Sequence, residues 1–214
     1  MASRMLHLAV AEELLKMFVV TDRNRFRAGC ILPDACNFAT QKSKSHLKII
    51  FDNNSKKTYD LDRFRHLYAK ELIEDDLYKG YYLHLICDLV FRNLMYGKYQ
   101  WDSAIPGNVA RLHNDFRSLN LYTIKKYGIK NDISNIQDLS KEKINLLCSF
   151  DLTGFLVDMA DDFNEVEEEN FYFFTRAMAD EFVSKATEIC AKELYALAKG
   201  EYYVNAYEWA WVNK

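Results

Sequence analysis

The scarcity of glycine and proline constrains this chain more than any other feature. Of 214 residues only 7 are Gly and 2 are Pro, where average usage would supply about 15 and about 10. Sheets joined by tight turns need these residues, and helix interiors disfavour both. The sequence therefore predicts an all-α fold. Half of the residues are apolar and 28% are charged, enough apolar surface for a packed core. The length fits one domain, and no repeat, low-complexity segment or clear linker divides it. Residues 1–214 are accordingly read as a single compact multi-helix domain.

Several function classes drop out. A net charge of −3 gives no strong nucleic-acid signature, a local basic patch aside. No apolar run approaches the ~20 residues of a transmembrane segment. Glu12 and Glu13 interrupt the first apolar stretch, so no secretory signal is read there. The cysteines, Cys30, Cys36, Cys87, Cys148 and Cys190, are odd in number and form no CxxC pair, which points to a reduced, cytoplasmic setting. Walker, GxSxG and Rossmann glycine motifs are missing.

Apolar spacing predicts a first helix over 3–20, a polar basic link at 21–27, and a turn or helix start at Asp34 behind Pro33. Residues 42–46 read as loop, 47–51 as one short strand or extended segment, and 52–57 as a turn. Helices are predicted from Asp60, from Asp75 or Asp76 to a stop at Gly97, and over 108–127 with Gly128 as its end. Further helices are expected over 141–150, 152–163 and 166–199. The aromatic tail beyond Gly200 has no assigned form.

Two polar residues stand out. Between Leu77 and Tyr96 the helix is apolar on nearly every side, yet it carries His84 and Asp88. Four residues apart, they lie on one face, and a buried carboxylate is costly unless paired or bound to a cation. The pair reads either as a buried ion pair that fixes the core or as part of a metal site. Three more residues bear on the choice. His7 sits between Leu6 and Leu8 and faces inward. Asp34 follows a rigid Ile-Leu-Pro step that aims its carboxylate, or serves as a helix cap. His46 closes a polar loop.

The order His7, Asp34, His46, His84, Asp88, with the stretches LHLA, GCILPD, SHL, GYYLHLICD and the flank DLDRFRHLYAKEL, resembles the zinc-dependent phospholipase C family. That family shares its all-helical fold with the fungal single-strand nucleases, and the resemblance covers about residues 5 to 95. It implies that Asp34, His46, His84 and Asp88 bind one metal. Asp88 would bridge to a second metal that His7 also ligates, and Asp34 would orient or deprotonate the attacking water. Two such ions activate water and clamp a phosphoryl oxygen. The donor set suits zinc, with iron, manganese or nickel as alternatives. The chain departs from the family in lacking an opening tryptophan ligand and the later His and Glu residues of a third metal site. Two ions per chain are therefore expected. His113, the one histidine after Asp88, reads as part of a phosphate clamp, as the acid for the leaving group, or as one residue of a polar helix face.

Other features have plainer readings. His66 reads as a partly exposed structural residue and Tyr81 as core or pocket lining. The run EVEEE at 165–169 reads as a solvated helix start, and Asp158, Asp161 and Asp162 as a solvated helix end or a weak cation site. Trp209 and Trp211, with the aromatic run NFYFFTRAM, read as packing over the core or as a surface that meets lipid or a partner. The expectation is a metal-dependent phosphoester hydrolase acting on a small phosphoester, a nucleotide or a lipid head group. The alternatives are a non-enzymatic helical interaction module with a structural metal site, and an HD-type phosphohydrolase, which would need a contiguous His-Asp dipeptide that this sequence lacks.

Overall fold

The computed structural model describes residues 2–36, 41–133, 139–164 and 170–212. They are mostly helical, as the lack of Gly and Pro requires. Buried side chains from Ala2 to Trp211 form one hydrophobic cluster. At its centre runs α6 (Asp76–Arg92), capped by Asp75 through Leu77 N–H at 2.9 Å. Nearly every residue of α6 is buried, as expected of a helix that is apolar on all faces. It continues as a π-helical segment at Asn93–Lys98.

Around α6 pack α1 (Arg4–Leu15), α2 (Arg23–Gly29), α4 (Leu61–Leu67), α5 (Ala69–Glu74) and α9 (Arg176–Leu197). The short α3 spans Lys42–Ser45. Helix α7 (Asn108–Tyr127) runs between Gly107 and Gly128, both left-handed, with Gly128 ending it as predicted. Helix α8 spans Leu152–Asp161 with Asp151 as its cap.

Several expectations need correction. The first helix stops at Leu15, because Met17 and Val19 turn outward and meet no core. The predicted basic link at 21–27 is largely α2. Its Arg27 is buried against Glu12 at 2.8 Å and also pairs with Asp132. The loop at 42–46 contains α3. The helix from Asp60 breaks at Tyr68 into α4 and α5. The segment 141–150 forms 3-10 turns at Leu139–Lys141 and Lys143–Leu146 instead of a helix. The last helix begins only at Arg176, capped by Thr175, while the predicted acidic start at 165–169 lies outside the described residues.

The mostly helical fold also carries a small antiparallel sheet of β1 (Lys48–Phe51), β2 (Lys56–Tyr59) and β3 (Trp211–Val212), in that order, of which the sequence suggests only the first strand. Asp52, Asn53 and Asn54 adopt positive φ between β1 and β2, a conformation that Asp and Asn tolerate best after Gly. The tail reaches the sheet because buried Glu193 accepts the N–H groups of Tyr203 and Val204, each at 2.7 Å. Thr58 also donates to the Ala206 carbonyl at 2.6 Å.

Helices α2 and α6 cross through a glycine pair. A Cβ on Gly29 would meet the Leu77 carbonyl oxygen at 2.1 Å, and one on Gly80 would meet the Phe26 carbonyl oxygen at 2.1 Å. This close approach carries the chain after α2, with Cys30 and Asp34, onto the polar face of α6. Among the described residues no helix is long and apolar enough to cross a membrane.

Candidate metal centre

All five residues singled out in the sequence converge. His84 and Asp88 point from α6 in the middle of the core. His7 comes from α1, Asp34 from the 3-10 turn Leu32–Asp34, and His46 from the end of α3. The ligating atoms of His46, His84 and Asp88 lie within 4.8 Å of one another, and so do those of His7, Asp34 and His84.

Backbone carbonyls set the imidazole tautomers. His84 Nδ1 is 2.8 Å from the Cys30 carbonyl oxygen. His46 Nδ1 is 2.9 Å from the Lys42 carbonyl oxygen and 2.9 Å from Ser45 Oγ. A carbonyl can only accept, so each Nδ1 carries the proton and each Nε2 presents a lone pair. Those two Nε2 atoms face each other at 3.2 Å. His46 Nε2 also stands 3.6 Å from Asp34 Oδ1 and 3.8 Å from Asp88 Oδ2. Lone pairs and carboxylate oxygens at these separations repel one another. A tetrahedral ion with bonds of about 2.0–2.2 Å spaces its donors by roughly 3.3–3.6 Å, close to what is found here. The carbonyls that hold Nδ1 are the outer-shell partners such ligands use.

His7 supplies a second flank. Its ring stacks on His84 at 3.9 Å between centroids, and Nε2 is 3.5 Å from Asp88 Oδ1. That separation is too long for a good hydrogen bond. Both ring nitrogens of His7 are buried without a hydrogen-bond partner, as is Asp34 Oδ1. Lys42 Nζ pairs with that oxygen by charge at 3.1 Å, without hydrogen-bond alignment. Asp88 uses both oxygens: Oδ1 accepts from Ala2 N–H at 3.0 Å and Oδ2 from the Tyr59 hydroxyl at 3.0 Å. Unsatisfied buried polar atoms in such a cluster call for an explanation, and this set of ligating atoms fits one or two divalent ions.

The protonation pattern follows from burial and charge. Burial, reinforced by repulsion from His7, lowers His84 to about 3. Burial also lowers His46, against the pull of Asp34 and Asp88. For His7 burial acts downward too, but contact with Asp88 and, after it, Cys87 overrides it and holds the ring at about 9. Burial would raise Asp34, yet His84, Lys42 and His46 bring it to about 2. At neutral pH, then, the metal-free cluster holds its dissociable proton on His7.

In metal-free protein, His7 stabilises the fold fully below its unfolded value of 6.5, and that contribution is lost as pH rises through about 9. Metal uptake at pH 7 must displace the same proton. Titrating zinc into weakly buffered protein is expected to release at least about one proton per chain, and His7→Ala is expected to lower that release by about one.

Beside the cluster opens a cavity of about 520 Å³, lined by Asp34, Lys42, His113, Arg117, Phe116 and Asp158 among others. His113 thus shares a cavity with Asp34. Desolvation and the positive charges of Lys42 and Arg117 lower its pKa, which favours the neutral ring. Other polar residues near the cavity have structural partners. Asp115 accepts three backbone N–H groups, from Tyr172, Phe173 and Phe174. Asp162 pairs with Arg4 and accepts from Asn120 at 2.9 Å. Tyr81 is core, its hydroxyl donating to the Ser45 carbonyl. His66 is exposed. All five cysteines are free thiols.

Sequence reasoning missed Tyr59, Lys42 and the orienting carbonyls of Cys30 and Lys42. The carbonyls carry no sequence signal, and Tyr59 sits in a segment read partly as turn. No family model, curated protein or solved structure matches the chain.

Proposed function

We propose that the chain is a metal-dependent phosphoester hydrolase whose five His and Asp residues hold two divalent ions, with zinc the best-suited metal. The observation that carries this reading is the opposed pair of lone-pair nitrogens, His46 Nε2 and His84 Nε2, 3.2 Å apart among buried carboxylates. The order of the five residues, which resembles that of the zinc-dependent phospholipase C family, supports it. So does an open cavity that combines Asp34 with three groups able to hold a phosphoryl group.

Bound ions in such a site lower the pKa of a water molecule and neutralise phosphoryl charge. The chain's own residues do the rest. Asp34, ionised at neutral pH, accepts a hydrogen bond from the attacking water and orients it. A carboxyl held at about 2 is a weak base, so orientation is its role rather than proton storage. Lys42 and Arg117 place positive charge where the phosphoryl oxygens would lie. His113, favouring its neutral form, donates one N–H to the same oxygens, which fits a clamp better than an acid. The substrate is a small phosphoester, a nucleotide or a lipid head group.

Removing the clamp histidine separates binding from metal holding. His113→Ala is expected to keep its full metal content and to lose roughly tenfold to hundredfold in kcat/KM, from the ~1.5–3 kcal/mol of a hydrogen bond to a charged group. Unchanged turnover would remove His113 from the site. The wider test is cobalt-substituted protein with added phosphate. A shifted visible spectrum is expected of an open coordination position. An unchanged spectrum, with no turnover of phosphomonoesters or phosphodiesters, would mark a closed structural site.

A further inference from the structure

A second cavity, of about 440 Å³, lies at the sheet and is separate from the His/Asp cluster. The strand register builds one wall. Lys48 pairs with Tyr59 and Lys57 pairs with Trp211, so these four side chains share one face of the sheet. The end of α6, the π-helical segment and the loop after it add Arg92, Tyr96 and Trp101, and the tail adds Trp209.

Two properties set this cavity apart. Three cations, Lys48, Lys57 and Arg92, line it together, and among the described residues none has a carboxylate within ion-pair distance. Like charges this close repel one another, and the lowered pKa of Lys48 reflects burial first and then Lys57 and Arg92. The second property is aromatic. All three tryptophans of the chain line the cavity. Trp211 is held by Arg92, whose guanidinium carbon sits 4.3 Å over its ring, and by Tyr59 at 5.1 Å between centroids. Trp101 packs on Tyr96 at 5.8 Å.

Clustered cations beside rigid aromatic rings recognise a ligand that carries an anion and a flat ring together. The volume falls at the small end of ligand pockets, which run from about 300 to 1,000 Å³, so one nucleotide fits better than a strand. We propose that this cavity binds a mononucleotide, its phosphate against Lys48, Lys57 and Arg92 and its base against the tryptophan rings. Arg92 also donates to the Tyr59 hydroxyl at 2.8 Å, which in turn donates to Asp88. An occupant would therefore lie two hydrogen bonds from the metal centre.

Because every tryptophan lines this cavity, intrinsic tryptophan fluorescence reports on it directly. Full-length, metal-stripped protein is titrated with AMP, GMP and UMP, and with adenosine and inorganic phosphate as half-ligands. Saturable quenching by at least one nucleotide is expected, with each half-ligand binding at least tenfold more weakly. Lys48→Ala combined with Lys57→Ala is expected to weaken nucleotide binding at least tenfold with the far-UV circular dichroism unchanged, and Asp34→Asn to leave it unaltered. If the double variant does not fold, Lys57→Glu alone is expected to give the same loss. Three outcomes overturn the proposal: no saturable change at millimolar nucleotide, phosphate alone binding as tightly as nucleotide, or binding that survives the lysine changes and is lost in Asp34→Asn. The last would place the nucleotide at the His/Asp cluster.

Discussion

Asp88→Asn is expected to abolish metal binding and hydrolysis together while leaving a folded protein. The carboxylate is fully buried, and both of its oxygens are engaged. Oδ1 stands 3.5 Å from His7 Nε2 and Oδ2 stands 3.8 Å from His46 Nε2, so this one group faces both flanks of the cluster. An amide of the same shape keeps one acceptor oxygen. It replaces the other with an NH₂ that cannot ligate, and it removes the negative charge that makes the site attractive to a divalent ion. Loss of an outer-shell partner alone costs about tenfold to hundredfold in metal affinity, and loss of a bridging charge should cost more than the upper figure. In metal-free protein the same change removes the larger of the two contacts, Asp88 and Cys87, that hold His7 at about 9. Burial then meets only Cys87 in opposition, and the pKa of the ring should fall. A variant with full metal content and full turnover would sink the proposed bridge.

Gly80→Ala, like its counterpart Gly29→Ala, is expected to be among the most damaging single-methyl changes at the described residues. The new Cβ would sit 2.1 Å from the Phe26 carbonyl oxygen and 2.9 Å from Cys30 N. Both are backbone atoms, so no side chain can swing aside, and α2 must move off α6. The Cys30 carbonyl moves with it and releases His84 Nδ1. Overpacking of this kind costs about 1–3 kcal/mol where side chains can adjust, and a backbone clash should reach or exceed the upper end. For a chain of this size that lowers Tm by roughly 6–12 °C. Gly97→Ala is the control, since nothing lies within 4 Å of its Cβ position. A Gly80→Ala protein with unchanged Tm and metal content would mean that the glycine crossing does not set the site.

His84 and Asp88 were legible because a helix that is apolar all round cannot hide polar groups, and the crossing helices do bury them. His7 showed itself by its apolar neighbours, and Asp34 by the rigid step before it. Helix α2 was not legible. Its arginines look like a solvated link, whereas Arg27 is buried against Glu12, a partner on another helix. That pairing is tertiary, and so is the Gly29–Gly80 contact that makes α2 matter. The sheet was half visible, as one short apolar segment. Its partners come from a run read as turn and from the tail, which Glu193 draws into place from α9. The tautomers of His46 and His84 depend on backbone carbonyls, which no sequence pattern marks.

The central claim, that the five His and Asp residues are a metal centre, is tested most directly by metal content per chain. Untagged protein is analysed for elements as purified, and again after reconstitution with zinc, iron and manganese. The account predicts about two transition-metal ions per chain. A clean zero that persists through all three reconstitutions would contradict it and would make the opposed histidines and carboxylates a feature of the core alone.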